Sequence, residues 1–345
     1  MKRRLSFILK VVISLVLLFV IFRKVQFKEI LAAFAVARPL PILIGLALVM
    51  LGRWVSAMRI KRLTDSQRMG FSTWQHFSIS SIATFYGMAL PGMLAGGAIR
   101  WHRFSRQGVT VTRSLAALTF DRILDTIALV ICGLGFWLAG SRVGAAASFG
   151  WILVGLLAAW SAAAYLLVHP RILGAAWKVL ERAPMTGWMR AKARQFVEDF
   201  SSYHKLPEKL IWQLMALSIL RHLIGTVGSF AFAASLGLSI SWLHIGWIRS
   251  LMMIVAMLPI SISGFGVREV GAAFLLGLYG VPASAAVAWS LLSFTRTLLP
   301  AAIGGLLEAH DAFFNRSGKK SHETLAVSPV QERALAADLA KDELP

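Results

Sequence analysis

The strongest constraint on this chain is the recurrence of apolar runs about as long as a bilayer is thick. They lie at Leu5–Phe22, Pro39–Met58, Ser114–Ala139, Phe149–Val168, Ile211–Leu236 and Ala283–Leu307. Roughly 20 apolar residues in a helix cross a hydrocarbon core, where every backbone N–H and C=O must be satisfied inside the segment. The expectation is an all-α integral membrane protein. Composition agrees: 57% of the 345 residues are hydrophobic and only 15% are charged, where soluble domains carry about 25% charged residues. A single cysteine, Cys132, excludes an internal disulfide framework and a cysteine-rich metal site.

Two further segments, Trp74–Ala98 and His244–Tyr279, are apolar but broken by Pro and Gly. Basic flanks orient the set. Lys2, Arg3 and Arg4 place the N-terminus in the cytoplasm, and the loop "RIKRLTDSQR" before Trp74–Ala98 and "RWHRFSRQGVTVTR" after it place both of its ends on that same side. A re-entrant hairpin turning near Pro91 satisfies both flanks, whereas a simple crossing does not. His244–Tyr279 then re-enters from the opposite face, and the C-terminus ends in the cytoplasm. About six full spans plus two re-entrant hairpins result, with the basic loop 23–38 as the exception to the charge rule. The basic stretch 169–209 is a cytoplasmic linker, within which Trp188, Phe196 and Phe200 suit a helix lying in the headgroup layer or an ordinary surface helix. Residues 1–310 form the membrane domain, and 311–345 are polar, cytoplasmic and without apolar periodicity, as a disordered tail would be. "MKRRLSFILKVVISLVLLFVIF" has no small-residue cleavage site after it and is expected to stay as the first span.

The broken segments resemble each other. "LPGMLAGGAIR" at 90–100 and "LPISISGFGVRE" at 258–269 share Leu-Pro, a Gly six places on and an Arg four places after that. Arg53 and Arg221 stand at the same offset of 168 as Arg100 and Arg268, and "LTFDRIL" at 118–124 matches "LSFTRTL" at 292–298. Span, hairpin, span thus occurs twice, over 39–139 and 211–307, and the one span between the units turns the second upside down. Inverted repeats whose broken helices meet at mid-membrane are a transporter architecture, and the broken segments mark the substrate site.

Ionisable groups inside spans cost about 2.5–3.5 kcal/mol each on insertion scales and are paired or functional. Here they are Arg53, Asp121, Arg122, Asp125, Arg221, Arg249, Arg268, Glu269 and Arg296. Asp121 and Asp125 share a helix face, with Arg122 in reach of Asp125, so ion pairs that lock helices account for "DRILD". Six arginines against three acids leave positive charge over, and a guanidinium fork suits phosphate oxygens. The expected headgroup ligands are Arg100, Arg221, Arg268 and Arg296. Arg53, Asp121, Arg122, Asp125 and Glu269 are the supporting polar network, with Asp121 and Glu269 positioning the arginines. Pro91, Gly96, Gly97, Pro259, Ser263, Gly264 and Gly266 shape the hairpin backbone, where freed N–H groups can form an anion nest.

The basic balance, net +20, lies in flanks of apolar spans rather than in a soluble domain, so membrane lipids, anionic ones foremost, are the expected partners and nucleic acid is not. No HExxH, CxxC or EF-hand pattern occurs, and no catalytic residue, metal or cofactor is expected. Two rival readings stay open. One is a lipid-modifying transferase using Asp121, Asp125 or Glu269 as base; the other is a non-transporting partner of a lipid- or glycan-synthesising enzyme.

"LPGMLAGGAIR", "DRILD" and "LPISISGFGVRE" followed by "GVPASAAVAWSLL" resemble the membrane domain of lysylphosphatidylglycerol synthases, a flippase-like family with stand-alone members. The resemblance covers about residues 5–310 and implies movement of a lipid across a bacterial cytoplasmic membrane. The aminoacyl-transferase domain of the bifunctional synthases has no counterpart in this sequence, which implies a chain that does not itself make lysyl-lipid. The first hairpin reads Gly-Gly-Ala-Ile-Arg, where relatives often carry an acidic residue after the glycine.

Overall fold

Wherever the backbone is described in the computed structural model, regular structure is helical, as a chain of bilayer-length apolar runs requires. The structure describes residues 27–89, 95–105, 108–140, 147–169, 186–256 and 266–325, together with Gly174, Trp177 and Glu181. Among them run α1 (Phe27–Ala35), α2 (Pro39–Ser66), α3 (Thr73–Ala89), α4 (Ala95–Ser105), α5 (Val111–Gly140) and α6 (Ala147–Val168). After these come α7 (Gly187–Ser201), which a short 3-10 turn continues, then α8 (Glu208–Ser235), α9 (Trp242–Val255), α10 (Val267–Gly277) and α11 (Ala283–Leu325).

Four of these helices are long and apolar enough to cross a membrane: α2, α5, α8 and the Ala283–Phe313 part of α11. Each falls on an apolar run of the sequence. The run Phe149–Val168 is α6, whose apolar stretch Ser148–Ala163 is shorter. The expected first span, Leu5–Phe22, lies outside the described residues. Each broken segment is two short helices, of 17 and 11 residues for α3 and α4 and of 14 and 11 for α9 and α10. The residues between them, which include Pro91, Pro259, Ser263 and Gly264, also lie outside the described residues.

Helix ends explain two departures from the sequence reading. Pro39 starts α2 where its missing N–H costs nothing. The helix then runs 28 residues, about 42 Å at 1.5 Å per residue, past Met58 and through most of the basic stretch expected to be a loop. Val55, Arg59 and Leu63, one turn apart, are all buried, so the inward face continues beyond the apolar run. At the other end of the chain, α11 continues to Leu325 rather than giving way to a disordered tail from 311. Part of that extension is tied down: Arg103 at the end of α4 pairs with Glu308 and with Asp311 at 2.8 Å, and Tyr86 donates to Glu308 at 3.2 Å.

The helices interleave. α2 lies along α8, α3 lies on α11, and α9 lies on α5. Small residues let these pairs approach closely, as in other membrane helix interfaces. On α11, a β-carbon at Gly304 would sit 2.7 Å from the backbone nitrogen of Ile82 in α3. On α5, one at Gly133 would sit 2.7 Å from Cβ of Ser250 in α9. The linker 169–209 contributes α7 and the 3-10 turn after it, whose aromatics divide their roles. Phe200 is buried against Phe120 of α5, Tyr203 stacks on Phe120 at 4.6 Å, and Trp188 stays exposed. Trp74, Trp151, Trp212 and Trp242 are also exposed, as bilayer-facing and interfacial side chains are.

Candidate functional site: an arginine-lined cavity

The site begins with "DRILD" on α5. The 3.6-residue period sets Asp121 and Asp125 on one face, and both are buried. Arg59 enters from α2 and reaches both: its Nη2 donates to Asp121 at 2.8 Å, and its Nη1 donates to Asp125 and, at 2.7 Å, to Ser218 of α8. Arg221 comes from α8 and grips Asp125 as a fork, Nε at 3.1 Å and Nη2 at 2.5 Å. His222 Nε2 lies 3.1 Å from the Asp125 carbonyl oxygen. This cluster ties α2, α5 and α8 together. Removing one partner of such a buried pair costs about 3–5 kcal/mol, because the other charge is left unpaired.

Around that cluster lies a partly open cavity of about 500 Å³. Among the described residues eight arginines line it, Arg53, Arg59, Arg100, Arg122, Arg221, Arg249, Arg268 and Arg296, with Asp121 and Asp125 as the only carboxylates. The arginines arrive from α2, α4, α5, α8, α9, α10 and α11. Arg53 donates to Thr84 at 3.2 Å. Arg296 donates to Ser229 at 3.0 Å and reaches Met253 Sδ at 3.7 Å. Arg268 donates to the Ser290 carbonyl at 3.2 Å and lies 4.9 Å over the Phe294 ring. Arg249 is 3% exposed, and its Nε and Nη1 have no hydrogen-bond partner among the described residues. Gly225 makes room for it: a β-carbon there would lie 2.9 Å from Cζ of Arg249.

A second, apolar pocket of about 200 Å³ adjoins the first between α6, α9 and α10. Phe149, Val255, Val267, Gly271 and Phe274 line it, while Met252 and Arg268 line both.

All four arginines expected as headgroup ligands line the cavity, as do Arg53, Arg122, Asp121 and Asp125. Four assignments need correction. Arg221 is not held in reserve for a ligand alone, because Asp125 already takes its fork. Asp121 hydrogen-bonds with Arg59 and acts on Arg100 only through its charge, and Asp125 is taken by Arg59 and Arg221 rather than by Arg122. Glu269 does not hydrogen-bond to an arginine: its Oε2 accepts the Gly266 N–H at 2.7 Å, and its Oε1 accepts the Ser290 hydroxyl at 3.4 Å. It caps α10, whose entry requires Gly266 at φ +82°. Among the hairpin glycines, Gly96 is needed for contact, since a β-carbon would fall 2.7 Å from the Ala83 carbonyl, whereas Gly97 faces open space.

Sequence reasoning missed Arg59 by placing it in a loop. It named Arg249 among the ionisable groups without giving it a place in the site. The helical spacing of Val55, Arg59 and Leu63 is the signal that locates the first. No local signal marks the second, whose space is made by a glycine on another helix.

The family model described as "Lysylphosphatidylglycerol synthase TM region" matches residues 7–305. No curated protein matches the chain.

Proposed function

The chain belongs to the lysylphosphatidylglycerol synthase TM-region family, and on that premise we propose that it moves an anionic lipid between the leaflets of a bacterial cytoplasmic membrane. The cargo is a phospholipid, a glycolipid or a lipid-linked precursor. The observation that carries this reading is the cavity, where arginines outnumber carboxylates eight to two inside a bundle of membrane helices. Guanidinium groups stay charged and match phosphate oxygens bidentately. An anion entering the cavity supplies the charge that the protein leaves out.

The adjoining apolar pocket favours a lipid over a free anion. Arg268 and Met252 border both spaces, so a headgroup among the arginines and a hydrocarbon chain against Phe149 and Phe274 can be held at once.

Helix packing supports an inverted repeat over 39–139 and 211–307. The short helix α3 of the first unit lies on the last helix of the second, and α9 of the second lies on α5 of the first. α2 and α8, equivalent in the two units, lie along each other at the centre. A two-fold relation between the units produces this exchange of partners. The paired short helices then act as re-entrant hairpins closing the path from opposite faces, with both termini cytoplasmic.

The transferase reading needs a carboxylate free to act as base. Asp121 and Asp125 are held by arginines, and Glu269 by the start of α10. Reconstitution into liposomes containing labelled anionic and zwitterionic lipids tests the proposal. Faster leaflet exchange of the anionic lipid is the expected result. Recovery of a covalently altered lipid would instead make the protein an enzyme, and neither exchange nor alteration would leave it a partner of a synthesising enzyme.

A further inference from the structure

The charge count of the cavity restricts the headgroup further, given the reading above. Arg59 and Arg221 are paired with Asp121 and Asp125. Six lining arginines remain: Arg53, Arg100, Arg122, Arg249, Arg268 and Arg296. None forms a salt bridge with a described carboxylate. The undescribed segments before residue 266 contain no Asp or Glu at all, so compensation from them is impossible. Arg122 is exposed, and granting Glu269, the neighbour of Arg268, as a counter-charge still leaves four.

These six fall into two sets, one per repeat unit, with Arg221 between them. Arg53 feels Arg100 and Arg221, while Arg296 feels Arg221 and Arg268, and Arg249 feels Arg296 and Arg221. Such a set of like charges at membrane depth is costly unless a ligand carries several negative charges. One phosphodiester brings a single charge. Arg249 sharpens the point, because burying a charged donor without a partner carries the full desolvation penalty of that group.

We propose that the headgroup taken by this cavity carries a diphosphate, bound by arginines of both sets and anchored by the unpartnered fork of Arg249. The hydrocarbon chain of that lipid lies in the apolar pocket beside Gly271.

The test uses the full chain in nanodiscs of zwitterionic lipid, titrated with sodium pyrophosphate and with sodium phosphate at matched ionic strength and without divalent cations. Pyrophosphate is expected to bind about tenfold more tightly or better, and Arg249→Gln is expected to remove that difference. Because no described carboxylate pairs with Arg249, the variant orphans none and stays folded; Arg249→Lys, which keeps the charge and loses the fork, is a second check and should fall between. Farnesyl diphosphate is expected to displace pyrophosphate, and Gly271→Trp to weaken farnesyl diphosphate while sparing pyrophosphate. Equal binding of the two inorganic anions, or binding of neither, would overturn the diphosphate assignment, and leaflet exchange of a single-phosphate lipid would show that the transport reading survives it. Pyrophosphate binding with no competition from farnesyl diphosphate would overturn the lipid part and assign the site to free pyrophosphate.

Discussion

Asp125 and Arg249 are both buried in one cavity, yet they stand in opposite positions. Asp125 receives Arg59 and both ends of the Arg221 fork, so Asp125→Asn leaves the buried Arg59 and the half-buried Arg221 under-compensated. A loss of about 3–5 kcal/mol is expected, read as a lower thermal midpoint of the detergent-solubilised protein. Arg249 has no such partner among the described residues, and Arg249→Gln should leave the ligand-free midpoint unchanged or raise it. A drop as large as that of Asp125→Asn would mean that Arg249 is a structural ion after all. The two were not equally legible in the sequence. Two aspartates within an apolar run stand out, and their helical spacing puts them on one face. Arg59 sits where the apolar run meets basic residues, so hydropathy assigns it to a loop; only the tertiary pairing draws it inside.

At the scale of elements, close helix crossings carry the arrangement. The position of Gly304 on α11 is filled by the backbone of α3, so Gly304→Ala should cost about 1–3 kcal/mol through overpacking. Gly135 on α5 has nothing within 4 Å of its would-be β-carbon, and Gly135→Ala should be neutral or stabilise by up to about 1 kcal/mol through helix propensity. Thermal unfolding of the two variants side by side checks both, and equal effects would contradict the packing account. The broken segments were legible because Pro and Gly interrupt apolar runs, and each is a pair of short helices. What no run of residues could reveal is the partner exchange, α3 on α11 and α9 on α5, since it depends on contacts more than a hundred residues apart. The helical extensions of α2 and α11 were hidden for a related reason: composition marks where apolar character stops, while buried faces and the Arg103 ion pairs decide where a helix stops.

For the whole molecule, the account requires a fixed topology and a path for an anion. The lone cysteine, Cys132, is buried in α5 and can be replaced by serine to give a background for labelling. In that background, Lys205→Cys before α8 should react with an impermeant thiol reagent from the cytoplasmic side, and Ser239→Cys after it from the other side. Both positions are exposed, and reaction from the same side would contradict the orientation. The most direct test of the central claim is leaflet exchange of a labelled anionic lipid in liposomes. It compares wild type with Arg268→Ala, which opens the border between charged cavity and apolar pocket, and with Arg194→Gln on the exposed face of α7. The account predicts exchange by wild type and by Arg194→Gln, and its loss in a folded Arg268→Ala protein; equal exchange by all three would contradict it.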